Sequence, residues 1–128
     1  MRAGDALPEI RQVLDQERID AYAQASGDHN PLHVDAGFAA GTQFGGTIAH
    51  GMHQLALLNQ VMTAAFGERW LTGGRMKVRF RAPARAGIEV VAGGRVAKAE
   101  GGQLSAALEL AAADGEVLVT AEASLAYP

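Results

Sequence analysis

The stretch GMHQLALLNQVMTAAF, Gly51 to Phe66, decides the fold. Leu55, Leu58, Met62 and Ala65 recur at helical spacing on one face, and Leu57 and Val61 widen the apolar surface. A helix this apolar is expected to be buried on most sides, so other elements must wrap it. From Arg75 the period falls to two. Met76, Val78 and Phe80 alternate with Arg75, Lys77, Arg79 and Arg81, which reads as a half-buried strand with a basic outer face, ended by Pro83. Further strand-like runs follow at 88–96, 104–112 and 117–125, separated by Gly101-Gly102 and Asp114-Gly115. The second separator, flanked by apolar alternation, is a strong hairpin signal. Trp70, Leu71 and Met76 read as core.

Upstream, Ile19, Tyr22, Ala23 and Ser26 keep helical spacing, with Asp15 placed to cap and Gly27 placed to stop the helix. Leu7 to Leu14 forms an entry strand with Pro8 at its edge. Asn30-Pro31 reads as N-cap and first residue of a short helix, and Gly41, Gly45 and Gly46 punctuate a loop. The expectation is one α+β domain over residues 1–128, an antiparallel sheet around one long helix.

Composition narrows the class. With 128 residues, 48% hydrophobic and 20% charged, the chain is neither disordered nor fibrous. It has no cysteine, so thiolate chemistry and disulfides are excluded. A formal charge of −3 argues against a nucleic-acid partner. No apolar run reaches the roughly 18 residues of a membrane span, and no leader pattern follows Met1. A cytoplasmic protein is expected.

Polar chemistry concentrates in Ser26-Gly-Asp28-His29-Asn30-Pro31-Leu32-His33. Turn residues alone account for such composition. Against that stand three observations. Asp28 and His33 can meet across the proline turn; His29, His33, His50 and His53 fall within 25 residues; and Gly51 sits at the first turn of the long helix, where free N–H groups favour developing negative charge. A carboxylate, an imidazole and an N–H donor suit addition of water to a double bond conjugated with a thioester.

The string YAQASGDHNPLHVD (22–35), then Phe38-Ala39 and IAHGM (48–52), resembles the signature of the MaoC-like hydratases, the R-specific enoyl-CoA hydratases and 3-hydroxyacyl-thioester dehydratases. FRAPARAG (80–87) is similar to their first long strand and its turn. The resemblance implies a hotdog fold, a dimer with a continuous sheet, and no cofactor beyond the coenzyme A or acyl-carrier-protein thioester of the substrate. It implies Asp28 and His33 as the catalytic pair, Gly51 N–H as the oxyanion donor, Asn30 steadying the loop, and Asn59 as a small polar group facing the pair. His53 stands where relatives more often have an aliphatic residue, which puts the pocket's polarity and substrate preference in question.

Other readings compete. His50 and His53 with His29 raise a metal site, but H-E-x-x-H is absent and no metal is expected, so His50 is read as packing at the loop–helix junction. Basic residues cluster at 75–85; a solvated strand face is favoured, with Arg81 and Arg85 as the candidates for substrate phosphates. A hotdog thioesterase would need a carboxylate near the long helix, where only Glu68 stands, at the far end. A non-catalytic acyl-thioester-binding subunit is the third reading. The acyl chain, the carrier, homo- or hetero-oligomer, and which of Asp28 and His33 takes the water's proton stay open.

Overall fold

A computed structural model describes residues 1–128. Local sequence sets the first half. Strand β1 (Ile10–Val13) leads into helix α1 (Gln16–Ser26), capped by Asp15, whose carboxylate accepts from Arg18 N–H at 2.8 Å. Gly27 ends α1 at φ 79, a conformation open to glycine, and its N–H donates to the Ala23 carbonyl at 2.9 Å. Pro31 opens α2 (Pro31–Val34) under an Asn30 cap, and Asp35 caps α3 (Ala36–Ala40). The long helix α4 spans Gly51–Phe66, the range expected. A short α5 (Glu68–Gly73), not anticipated, turns the chain into the sheet.

Strands β2 (Arg75–Phe80), β3 (Glu89–Glu100), β4 (Gln103–Ala112) and β5 (Val117–Ala126) complete one antiparallel sheet of order β1-β3-β4-β5-β2. Register shifts between Val96 and Lys98 on β3, and between Leu110 and Ala111 on β4, mark irregularities of the kind that bend a sheet. Its inner face meets α4 through a single core. Leu57, Leu58, Val61 and Met62 are buried with Val90, Val96, Leu108, Leu110, Leu118 and Leu125, and the small side chains Ala92, Ala106 and Ala123 let helix and sheet approach closely. Burial of each leucine contributes about 2 kcal/mol.

The helix is rotated from the expectation. Its buried face is His53, Gln54, Leu57, Leu58, Val61, Met62 and Phe66, whereas Leu55 and Ala65 are half-buried and Met52, Asn59 and Gln60 face outward. One face, not most of the circumference, is covered, because the sheet lies on one side only. Trp70 is core, but Leu71 is 70% exposed, since α5 presents only Trp70 inward. The β2 alternation holds at Met76 and Val78 and fails at Phe80, which is 56% exposed at the open sheet edge. No helix is long and apolar enough to cross a membrane.

Candidate active site

The site forms where the 28–35 turn meets the N-terminus of α4. Asp28 is shaped by its neighbours: its N–H donates to Ser26 Oγ at 3.2 Å, and its Oδ1 accepts from Asn30 N–H at 3.2 Å. Asn30 in turn caps α2, accepting from Leu32 N–H at 3.0 Å. His33 rides on α2. Gln16 crosses from α1 to hold that helix, donating to the His33 carbonyl at 2.8 Å while accepting from Thr47 Oγ1 at 2.6 Å.

His33 Nδ1 lies 2.8 Å from the Ile48 carbonyl oxygen. A carbonyl only accepts, so Nδ1 carries the proton of the neutral ring and Nε2 keeps an open lone pair. By the same logic His50, 3.0 Å from the Asp28 carbonyl through Nε2, donates there. One carboxylate oxygen of Asp28 and one ring nitrogen each from His33 and His50 lie within 4.8 Å of one another. A water donating two ordinary hydrogen bonds holds its acceptors about 4.5 Å apart, so a single water fits between such groups.

The three groups are less suited to an ion. The His33 and His50 rings stack at 3.9 Å with 24° between planes. In-plane lone pairs of two near-parallel rings run alongside each other and do not converge on one centre, and each ring already spends one nitrogen on a backbone carbonyl.

Gly51 is the first residue of α4, and its N–H belongs to the turn that lacks intrahelical acceptors. His50, at the cap position, makes no side-chain cap bond that would compete. A Cβ on Gly51 would come 3.1 Å from Phe80 Cζ, so glycine keeps the amide open beneath that ring. The macrodipole of this 16-residue helix adds positive potential at the same point.

Other expected site residues fall elsewhere. Asn59 is exposed and accepts from Trp70 Nε1 at 3.2 Å; it pins α5 to α4, and eight residues of helix, about 12 Å, separate it from Gly51. His53 does not face the Asp28–His33 pair. It is 9% exposed, stacks on Tyr22, and meets Gln12 Oε1 at 3.1 Å through Nε2. Burial foremost, then the charges of His50 and Arg18, hold its pKa below the ordinary imidazole value. His29 is exposed. Arg81 lies on the outer face of the sheet, its Nε donating to Thr120 Oγ1 at 3.2 Å. Arg85 stays near the site but donates to the Phe44 carbonyl, latching the glycine-rich loop. Glu68 lies a full helix length from Gly51, about 25 Å, too far for a thioesterase carboxylate.

Tyr22, Gln16, Thr47 and the Ile48 carbonyl were not legible as site groups. Tyr22 and Gln16 fit an ordinary amphipathic helix, and a backbone carbonyl leaves no trace in side-chain chemistry. Two grooves, of ≈ 990 and ≈ 590 Å³, lie on the outer sheet face, and Asp28, His33 and Gly51 line neither.

A bent antiparallel sheet on one long helix, with a carboxylate and an imidazole gathered at that helix's N-terminus, defines a hotdog-fold protein with a candidate site there. The chain belongs to the MaoC like domain family, whose sequence profile matches residues 4–112. It is 42% identical over 82 residues to 3-hydroxyacyl-thioester dehydratase Z of Mycobacterium tuberculosis, covering 61% of this chain and 54% of the relative. The chain thus spans about half the length of the curated relatives it matches. Among solved structures it is similar to the unliganded R-hydratase PhaJ1 from Pseudomonas aeruginosa (TM-score 0.86, 27% identity, 100% of this chain and 83% of that one). It is also similar to the (R)-hydratase from A. caviae involved in PHA biosynthesis (TM-score 0.84, 26% identity, 100% and 98%).

Proposed function

We propose that the chain is an enoyl-thioester hydratase/dehydratase, interconverting trans-2-enoyl and (R)-3-hydroxyacyl thioesters of coenzyme A or an acyl carrier protein. The observation that carries this reading is that His33, whose tautomer set by Ile48 leaves Nε2 open, gathers with Asp28 and His50 at the start of the helix that Gly51 opens. Asp28 and His33 hold one water by its two protons. Its oxygen adds to C3, one proton passes to the pair, and a proton returns from the pair to C2. Negative charge gathering on the thioester oxygen is met by Gly51 N–H, a contact worth on the order of 3 kcal/mol. Water and enoyl thioester balance against hydroxyacyl thioester with no net redox change, so the reaction calls for no redox cofactor.

The family relationship and the dehydratase and hydratase names of the relatives support the reading. Two features favour a homodimer. β2 is an open sheet edge, and beside it Phe80 and Met52 stand 56% and 62% exposed next to Gly51. A second copy on that edge would cover them and supply a wall for the acyl group. The proposed setting is the cytoplasm, where both carriers occur.

The test is turnover of crotonyl-CoA and of longer enoyl-CoAs in the presence of a thiol reagent, with chiral analysis of the product. Loss of enoyl absorbance without thiol release, giving the (R)-3-hydroxyacyl product, is expected. Thiol release would overturn the reading in favour of a thioesterase, and binding without turnover in favour of a non-catalytic subunit.

A further inference from the structure

Behind the catalytic imidazole stands a column of rings drawn from three helices. His33 stacks on His50 at 3.9 Å, His50 meets Tyr22 at 4.8 Å with 53° between planes, and Tyr22 stacks on His53 at 4.9 Å with only 4° between planes. Each imidazole is tethered by one nitrogen to a different segment: His33 to the Ile48 carbonyl, His50 to the Asp28 carbonyl, and His53 to Gln12 on β1. His50 is 2% exposed and His53 9%. The second nitrogen of each, Nδ1, is buried and finds no partner among the protein's groups.

A ring held by one hydrogen bond can still pivot about it. What stops the pivot is contact on its faces. His33 has such a contact from His50, and His50 has one from Tyr22. Tyr22 is backed by His53, whose place is fixed by Gln12. The histidine at position 53 therefore has work that an aliphatic side chain would do less well, because a flat ring matches the flat face of Tyr22 and a ring nitrogen reaches β1.

We propose that Tyr22, backed by His53, is a positioning residue that acts through His50 to keep the His33 ring in the orientation and tautomer presenting Nε2 to the water. This rests on the hydratase reading for its catalytic consequence but not for its structural content. A displacement of about 1 Å at a reacting group costs on the order of a hundredfold in rate, so a column that removes a ring's freedom has a measurable effect far from the substrate.

The experiment compares Tyr22→Phe with Tyr22→Leu, with Tyr22→Met as a second ring-free variant should the leucine protein fail to fold. Two readouts are taken: kcat and KM on an enoyl-CoA, and the imidazole 15N spectrum, which reports which nitrogen of each histidine is protonated. Tyr22→Phe should keep kcat within about twofold and leave the His33 proton on Nδ1. The ring-free variants should lower kcat by about tenfold or more, with KM within about twofold, and shift the His33 nitrogens toward a mixture of tautomers. Wild-type kcat and an unchanged His33 spectrum in the ring-free proteins would overturn the proposal, as would a loss in Tyr22→Phe equal to that in Tyr22→Leu. If wild-type protein turns over no enoyl thioester, the hydratase reading fails while the nitrogen spectra still decide the column.

Discussion

Replacing His33 with alanine and Asp28 with asparagine tests whether one water serves both groups. His33→Ala removes the open Nε2 lone pair together with one hydrogen bond to Ile48. That side chain is half-buried, so the lost bond costs about 1 kcal/mol and the fold survives. Asp28→Asn keeps the shape and an oxygen able to accept from Asn30 N–H, and loses only the charge. Each change should lower kcat by about 10²–10⁴-fold, or roughly 2.7–5.5 kcal/mol of transition-state stabilisation. The double variant is the sharper measurement. Two acceptors that hold one molecule lose it when either goes, so the pair of changes should cost little more than the worse single one. The assay is the initial rate of enoyl absorbance loss at saturating substrate, with folding checked by circular dichroism. Single variants that keep near-normal rates would refute the catalytic assignment. A double variant whose loss equals the product of the singles would refute the shared water.

Gly51→Ala should fold, because the exposed Phe80 ring can yield the few tenths of an ångström that a Cβ at 3.1 Å demands, yet turn over more slowly. Gly51→Val keeps the N–H but crowds Phe80 and the space before the amide further, so it should turn over more slowly still, and full turnover in it would show that the space the glycine leaves open is not used. His53 gives a pH signature. Its folded pKa lies below the unfolded value of 6.5, so the unfolded chain binds the proton more readily and stability falls as pH drops from 6.5 toward the folded pKa. Urea midpoints between pH 5 and 8 should show that slope, and His53→Leu should flatten it.

What was legible in the sequence was what is local. Asp15, Gly27, Asn30 and Pro31 act within their own turn, so their roles follow from residue type and position alone. The range of α4 follows from its glycines, and the pairing partners Asp28 and His33 from their separation across one proline turn. The rotation of α4 was not legible. Leu55 and Leu57 are equally apolar, and only the side from which the sheet arrives decides that Leu57 is buried deeper. Asn59 was misplaced for a related reason. Its amide is claimed by Trp70 of α5, an element too short to leave a periodic signal. Phe80 fits its strand pattern, yet its strand is the sheet's edge, and edge or centre is a property of topology rather than of six residues.

The composition of α4 shows how stability and chemistry are divided along one helix. Beyond its first turn the buried positions are Leu57, Leu58, Val61, Met62 and Phe66, all apolar and all in the core. At its start the buried positions are His50, His53 and Gln54, and each holds an atom with no partner among the protein's groups. A buried polar atom left unpaired by protein costs about 1–3 kcal/mol, so leucine at these three places would suit a purely structural helix better. Their polarity coincides with the Asp28–His33 pair and with the open amide of Gly51. His50 anchors the Asp28 carbonyl and lies against His33; Gln54 holds the Ala49 and His50 carbonyls at 3.4 Å; His53 backs Tyr22. The apolar turns fasten the helix to the sheet with enough stability to carry the polar one, and the polar turn holds the groups around Asp28, His33 and the start of the helix in place.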